Sequence, residues 1–139
     1  MPNAHITFPS DPKHKARGED DLVAFTWAKY MNTTDTPEWI IFLPMAKAAV
    51  RAMDTVEAFM ADGIPDTDKK ASIKRWGVSG ASKRGWGTWL TAAVVPDRVH
   101  AMVPVVFDLL NFTPNIHHMY ENYGGWSWAL GPYVEEDIM

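Results

Sequence analysis

The sequence predicts an α/β fold with a parallel sheet, and the order of three segments in its middle part carries that prediction. Two β-type segments, Ser72 to about Ser79 and Ala101 to Phe107, flank an amphipathic segment, Lys83 to Val94, that stops before Pro96. A strand, a helix and a second strand in this order form a βαβ crossover, in which the strands run parallel. Pro104 removes a hydrogen-bond donor from the second strand, which is awkward in a central strand.

Two more helices are predicted ahead of the first strand. Glu19 to about Met31 begins with acidic residues and carries apolar residues on one side, which is typical of an amphipathic helix. Trp39 to Leu43 is a short apolar run that fits either a buried strand or the approach to the next helix. Pro44 suits a first helical position and Gly63 a helix end. Helical spacing predicts a buried stripe of Met45, Ala49, Ala52, Met53, Val56, Phe59 and Met60 in this helix, and of Trp86, Trp89, Leu90 and Ala93 in the helix between the strands.

The composition indicates a globular domain and gives no sign of nucleic-acid binding. Of the 139 residues, 47% are hydrophobic and 22% are charged, and the formal charge of -4 provides no basic surface. The cationic run Lys13 to Arg17 is followed by the acidic run Glu19 to Asp21, so we interpret it as a solvated helix entry. The sequence contains no cysteine, which excludes disulfides and thiolate metal sites. No stretch approaches the roughly 20 apolar residues of a membrane span.

The C-terminal end of the sequence predicts a longer protein. Tyr133 to Met139 stops in what we interpret as the first turn of an acidic helix, with no basic last turn and no cap. Met1 to Ser10 has neither the basic start nor the apolar run of a signal peptide. We therefore interpret residues 1–139 as a single partial domain.

Ser82 stands at the predicted turn between the first strand and the following helix. A hydroxyl at this place lies at the carboxyl edge of the sheet, beside the N–H groups that open the helix, which suits a nucleophile. Gly80 and Ser82 match the start of the G-x-S-x-G nucleophile elbow of hydrolases. Arg84 occupies the position of the last glycine, and Gly85 follows one residue later.

Three alternative interpretations of this segment fit its spacing less well. A shifted elbow centred on Ser79 would put the turn inside the strand and leave the helix start unexplained. The segment Ser79 to Gly87 also looks like the glycine-rich cofactor loop of short-chain dehydrogenases with one residue inserted, but about seventy residues precede it and the Tyr-x-x-x-Lys pair of those enzymes is missing. The spacing of a phosphate-binding P-loop fails from either Gly77 or Gly80. The sequence therefore predicts a site that uses no cofactor.

Several segments resemble the PhoPQ-activated pathogenicity-related protein family. The block G-A-S-K-R-G-W, Gly80 to Trp86, is the most specific of them. The segments that match are Glu19 to Trp27, Pro44 to Asp54, Val78 to Ala92, Asp97 to Val99, Val103 to Asn111 and Tyr123 to Ser127. The resemblance implies a fragment of an α/β-hydrolase fold from a longer protein that usually carries an export signal. It therefore implies an extracellular or periplasmic location.

An elbow serine needs a base and an acid that orients the base, because an unassisted hydroxyl is a poor nucleophile at neutral pH. In hydrolases of this fold the order along the chain is serine, carboxylate, histidine. Asp108 is the carboxylate at a predicted strand end downstream of Ser82, and capping of the next turn is its alternative role. His100 precedes its strand and lies at the opposite edge. His117 and His118 could reach the site from the segment after residue 111, but the usual histidine follows the last strand of the fold. We therefore expect the histidine beyond Met139, which would leave this chain inactive by itself.

Lys83 is a candidate oxyanion donor by a second resemblance. The matching residues are similar to the G-C-S-R-N-G elbow of glucuronoyl esterases, in which a basic residue follows the nucleophile and helps to hold the oxyanion. A solvated side chain at the helix start is the alternative, although the helix dipole disfavours a cation there.

The aromatic and glycine-containing segment from about residue 111 to 139 is a possible lid or pocket wall, with ordinary packing as the alternative. His117 and His118 are adjacent, which points them apart, so no metal site is predicted. The sequence therefore predicts a serine hydrolase-like protein that cleaves an ester or amide. A non-catalytic secreted binding or signalling protein is the main alternative, and an NAD(P)-binding protein is a further one.

Overall fold

A computed structural model of the chain describes residues 5–63, 67, 70–107 and 110–139. The helices in these residues are α1 (Glu19–Asn32), α2 (Phe42–Asp62), α3 (Lys83–Val94), α4 (Phe112–Tyr123) and α5 (Gly131–Glu135), the strands are β1 (Trp76–Ala81) and β2 (Val99–Val105), and two 3₁₀ turns cover Pro37–Trp39 and Trp128–Leu130. The chain divides into two compact units, which we treat separately. The terminal unit is Met1–Ile41 with Asp108–Met139, and the central unit is Phe42–Phe107.

β1 and β2 pair in parallel within the central unit, which confirms the predicted α/β class with a parallel sheet. The register runs from Trp76 opposite Val99 to Ala81 opposite Val105. Each strand boundary differs from its predicted position by two to four residues. Pro104 lies inside β2, as predicted. The carboxyl ends of the two strands lie side by side, and this is the edge at which parallel sheets place their ligands.

α3 has the predicted bounds, but it buries a different stripe of residues. The predicted residues are half-buried or exposed: Trp86, Trp89, Leu90 and Ala93. Gly85, Thr88 and Thr91 are buried instead. Both threonine hydroxyls donate to helix carbonyls four residues earlier, at 2.9 and 2.7 Å, which removes the cost of burying them. The prediction of this stripe is wrong, because small residues and not the large apolar ones occupy the buried side of α3. Hydropathy does not show that the threonine hydroxyls form hydrogen bonds inside the helix and can therefore be buried.

α2 begins two residues before Pro44 and ends before Gly63, whose φ of 111° suits the predicted helix stop. Phe42 is 2% exposed and Met53 is 4% exposed. Most of the predicted stripe is not buried, and Phe59 is 50% exposed. That prediction is wrong because α2 is apolar on more than one side, and the packing of the unit decides which side is covered.

A polar network ties the start of β2 to α2 in the central unit. The Arg98 guanidinium donates to Asp54 at 2.7 Å and to Glu57 at 3.0 Å. The Trp76 indole N–H donates to the same Glu57 oxygen at 2.8 Å. These hydrogen bonds lower the pKa of both carboxyls. Trp76 has the largest influence on Glu57, and Arg98 has the largest influence on Asp54. The network fixes the amino-terminal end of the sheet, opposite the edge that carries Ser82.

α1 has nearly the predicted range, and its apolar face forms the core of the terminal unit. Its buried residues are Leu22, Val23, Ala24, Phe25, Thr26 and Ala28. Phe25 packs with Phe8 and Trp39, with ring centroids 5.1 and 6.2 Å away. Trp39 closes a 3₁₀ turn and α2 begins at Phe42, so the apolar run from Trp39 to Leu43 is the approach to a helix and contains no strand.

Arg17 is buried at the centre of a charged cluster in the terminal unit. Its guanidinium donates twice to Asp11, at 2.6 and 3.1 Å, and its Nη1 donates to Asp21 at 3.0 Å and to Glu136 at 2.8 Å. The same group lies 4.1 Å from the centroid of the Phe25 ring. The solvated helix entry predicted here is therefore wrong for Arg17, which is 1% exposed. Arg17 can be buried at this place because carboxylates accept hydrogen bonds from its N–H groups and the Phe25 ring covers one face of its guanidinium.

The C-terminal part of the terminal unit contains α4, a 3₁₀ turn and α5. Several of its aromatic residues are exposed, from Trp126 at 37% to Tyr123 at 73% and Trp128 at 92%. Tyr120 and Trp126 meet edge to face at 4.7 Å. The role of this segment as a lid or pocket wall remains a prediction.

Candidate functional site

Ser82 lies between the last residue of β1 and the first residue of α3, at the turn that the sequence predicts. Its φ is 55° and its ψ is -125°. A non-glycine residue with positive φ is uncommon, and this combination lies outside the small left-handed region that such residues usually occupy. Ser82 is exposed, and its side chain makes no capping hydrogen bond to α3. The backbone of Ser82 is therefore strained although its side chain is exposed.

Glycines on both sides of Ser82 make the sharp turn possible. A Cβ atom on Gly80 would lie 2.7 Å from the carbonyl carbon of Arg84, which is closer than real Cβ contacts. A Cβ atom on Gly85 would lie 3.2 Å from the Gly80 oxygen and 3.1 Å from the Val105 oxygen. Gly85 therefore permits the close approach of α3 to the ends of the two strands. Arg84 is exposed, so its side chain does not obstruct the turn.

Hydrogen bonds hold both backbone polar groups of Ser82, its N–H and its carbonyl. The Ser82 N–H donates to the Val105 carbonyl at 2.9 Å, which extends the sheet pairing to the turn. The Ser82 carbonyl accepts from the Trp86 N–H at 3.2 Å, the first hydrogen bond of α3. Lys83, half-buried, is the first residue of α3. The N-terminus of a helix provides N–H donors and a partial positive charge, which favour an anion beside Ser82.

A second backbone outlier lies at the same edge of the sheet. Val106 directly follows β2 and has a φ of 50°, which is a genuine outlier for a β-branched residue. Val106 is 81% exposed, so burial of its own side chain does not explain the conformation. The next residue, Phe107, packs on α3, with its Cβ 3.0 Å from the place of a Cβ on Gly85. Two strained residues thus occupy adjacent strand ends.

An aromatic stack covers the first turn of α3. The Trp86 ring is stacked on Phe42 with a centroid distance of 4.3 Å and an interplanar angle of 25°. Phe107 contacts the same ring at 5.5 Å. Trp86 thus connects the helix of the elbow with the start of α2 and with the residue that follows Val106.

The other predicted site residues are placed as follows. Asp108 lies outside the described residues, so its role stays a prediction. His100 lies at the amino-terminal end of β2, opposite the Ser82 edge, as predicted. His117 and His118 lie in α4 of the terminal unit. Ser79 lies inside β1 and its hydroxyl donates to the Val103 carbonyl at 2.9 Å, so the turn is at Ser82 and not at Ser79.

Within the described ranges, no group of three or more histidine, aspartate or glutamate side chains could hold a metal ion. None of the described helices is long and apolar enough to span a membrane.

No catalytic motif in the sequence points to Val106, Trp86 or Phe107 as parts of the candidate site. The positive φ of Val106 runs against the preference of a β-branched residue, so sequence reasoning assigns a strand there. Trp86 and Phe107 look like ordinary core residues, because their meeting depends on the pairing of β1 with β2. Trp86 does belong to the block Gly80 to Trp86, the sequence feature that resembles the family most specifically.

The parallel sheet and the helices around it define a mixed α/β protein, in which a strained serine stands between a strand and a helix. Residues 1–139 match the sequence model of the family described as PhoPQ-activated pathogenicity-related protein. The chain therefore belongs to this family, as its sequence motifs predicted.

A curated relative was also found. The chain is 42% identical over its 139 residues to the autocrine proliferation repressor protein A of Dictyostelium discoideum. The match covers all of this chain and 26% of the relative, so the chain spans about a quarter of the length of that protein. No solved structure matches the chain.

Proposed function

We propose that this chain carries the nucleophile of a serine hydrolase-like protein with an α/β-hydrolase fold, and that Ser82 attacks the carbonyl of an ester or amide. The observation that carries the proposal is the backbone of Ser82, with φ 55° and ψ -125°, between a parallel strand and a helix N-terminus. This strain, about 1–3 kcal/mol for such a residue, serves no purpose in packing an exposed side chain. It does lift the hydroxyl clear of the backbone, where a substrate can reach it.

The proposed chemistry is acyl transfer. The Ser82 Oγ forms a bond to the substrate carbonyl carbon while its proton passes to a histidine base. The leaving group then takes that proton as its bond to the carbonyl breaks, and water releases the acyl group in the reverse sequence of steps. N–H groups at the start of α3, supplemented by Lys83, would stabilise the oxyanion, and Asp108 would orient the base.

The full activity belongs to a longer protein in this proposal. The relative is about four times as long as this chain, as its covered share of 26% indicates. A histidine from outside the 139 residues would complete the triad, with residues 111–139 as a lid. The family resemblance further implies export.

A fluorophosphonate probe tests the proposal in the full-length protein that contains this sequence. The probe reacts with a serine only when the serine is activated, so covalent labelling at Ser82 is the expected result. Ser82→Ala should abolish the labelling without changing the unfolding midpoint by much, because the side chain is exposed. Ser79→Ala is the matched control and should label like the wild type, because Ser79 lies inside β1. A folded full-length protein that never labels would refute the proposal.

A non-catalytic signalling protein on the same fold is the second candidate. The relative is named an autocrine proliferation repressor, and this name is the observation that favours the second candidate. The two candidates differ in their dependence on Ser82. A repressing activity on cells that Ser82→Ala leaves intact would support signalling without turnover, whereas a repressing activity that disappears with the probe labelling would tie the effect to catalysis.

A further inference from the structure

We propose that Trp86 and Phe107 are positioning residues that hold Ser82 in its reactive backbone conformation. The inference rests on the proposed nucleophilic role of Ser82. It assigns a function to two aromatic side chains through their contacts with the turn and not through contact with a substrate.

A strained backbone persists only when its surroundings hold it in place. The Ser82 side chain contributes no capping bond to α3. The two backbone bonds of Ser82 lead instead to Val105 and to Trp86. The stability of the strained conformation therefore depends on how firmly those two partners are fixed.

Trp86 fixes the helix side of the turn. Its N–H donates to the Ser82 carbonyl at 3.2 Å, so its backbone position sets the direction of the first turn of α3. Its ring lies on Phe42 at 4.3 Å and contacts Phe107 at 5.5 Å. Aromatic contacts of this kind add to the simple burial of area and restrict the ring to one position.

Phe107 fixes the strand side. Val105 supplies the carbonyl that accepts the Ser82 N–H, and Phe107 follows two residues later, after the strained Val106. The positive φ at Val106 turns the chain at the end of β2, and Phe107 then packs against Gly85 and Trp86. The end of β2 is thereby clamped to the helix that follows Ser82.

The contact between Trp86 and Phe107 joins the helix side of the turn to the chain that follows β2. Loosening this contact would let Ser82 relax toward an ordinary conformation, with its hydroxyl displaced. A displacement of about 1 Å at a reacting atom can cost a factor of a hundred in rate. Simple core packing, the competing explanation, predicts a loss of stability without a specific loss of reactivity.

The test measures the rate of fluorophosphonate labelling at Ser82 in the full-length protein, at a temperature well below every unfolding midpoint. Trp86→Leu and Phe107→Leu should each slow labelling by about tenfold or more. Trp86→Phe keeps an aromatic ring and should recover most of the rate. Trp89→Leu is the matched control, since Trp89 is also half-buried and lies on the same helix. It should label within about twofold of the wild type.

Amide hydrogen exchange provides a second readout that does not require activity. The Ser82 N–H should exchange faster in Trp86→Leu and Phe107→Leu, and remain protected in Trp89→Leu. Equal slowing of labelling by Trp86→Leu and Trp89→Leu, or unchanged Ser82 protection, overturns the positioning role. A wild type that never labels refutes the proposed function, and the exchange data then decide by themselves whether these rings hold the turn. Phe107→Met covers the case in which a leucine variant does not fold, because it removes the ring but keeps a flexible apolar side chain, and it should likewise raise Ser82 exchange.

Discussion

The terminal unit contains a buried charge and the central unit a strained serine, and the two units compensate for these unfavourable features in opposite ways. In the terminal unit, the Arg17 guanidinium is buried, yet three carboxylates accept its hydrogen bonds. In the central unit, Ser82 is strained, and no capping bond from its own side chain offsets the strain. A buried charge with a full set of partners needs no functional explanation, whereas an exposed strained residue does.

The electrostatics of the terminal unit support this distinction. The hydrogen bond from Arg17 is the largest influence on Asp11 and lowers its pKa to about 2. Burial acts to raise the pKa of Glu136, but the hydrogen bonds from Arg17 and Lys13 outweigh it and lower that pKa. Both shifts favour the charged forms and so stabilise the cluster. The cluster is a structural element, and we expect its disruption to affect folding first.

The largest predicted effect on stability is that of Arg17→Met. The substitution leaves the carboxylates of Asp11 and Glu136 without their guanidinium, and breaking a buried pair in this way costs about 3 kcal/mol or more. Urea unfolding of the 139-residue chain at neutral pH measures the change. Arg51→Met is the matched control, because Arg51 forms an exposed pair with Asp54 and should change stability by less than about 0.5 kcal/mol. Similar losses from both variants would show that the cluster contributes little.

Gly80→Ala should come next and affect the central unit. Its new Cβ would lie 2.7 Å from the Arg84 carbonyl carbon, so the backbone of the turn must shift, at a cost of about 2 kcal/mol. Gly77→Ala is the matched control in the same strand, because no atom lies within 4 Å of its Cβ position. We expect Gly80→Ala to lower both the unfolding midpoint and the probe labelling, and Gly77→Ala to change neither by much. Normal labelling in Gly80→Ala would contradict the requirement for a tight turn.

Acid should destabilise the terminal unit by protonating Asp11, and the Arg17→Met substitution should remove this effect. The pKa of Asp11 in the folded chain, about 2, is below its ordinary value, so the folded state binds fewer protons than the unfolded state in the acid range. The stabilisation is therefore complete above the ordinary pKa of about 4 and is lost as the pH falls toward 2. Urea midpoints measured from pH 7 to pH 2 should fall steeply in the wild type and less steeply in Arg17→Met. Parallel curves would rule out the cluster as the source.

The smallest predicted effect is that of Tyr133→Phe. The Tyr133 hydroxyl donates to Asp20 at 3.2 Å, and burial, with a further contribution from the Asp20 charge, raises the pKa of Tyr133. Loss of this bond should cost about 1 kcal/mol in urea unfolding. Tyr123→Phe should stay within about 0.5 kcal/mol of the wild type, since Tyr123 is 73% exposed. A loss of stability in Tyr133→Phe larger than that in Gly80→Ala would contradict the predicted order of effects.

The sequence by itself determined the class of fold, the exact range of α3, the location of the turn at Ser82 and the family. These features depend on local chemistry: a glycine before the serine, a helix stop before Pro96, and periodicity over a dozen residues. The block Gly80 to Trp86 was specific enough to predict the family, which the comparison confirmed.

The tertiary structure alone decided which sides of the helices are buried, the burial of Arg17, and the aromatic contacts around Ser82. Arg17 looks like a solvated cation in the sequence because its partners Asp11 and Glu136 lie 6 and 119 residues away. Thr88 and Thr91 replace the predicted apolar stripe because their hydroxyls bond inside the helix. Burial and strain depend on partners distant in the chain, and local patterns do not encode where those partners meet.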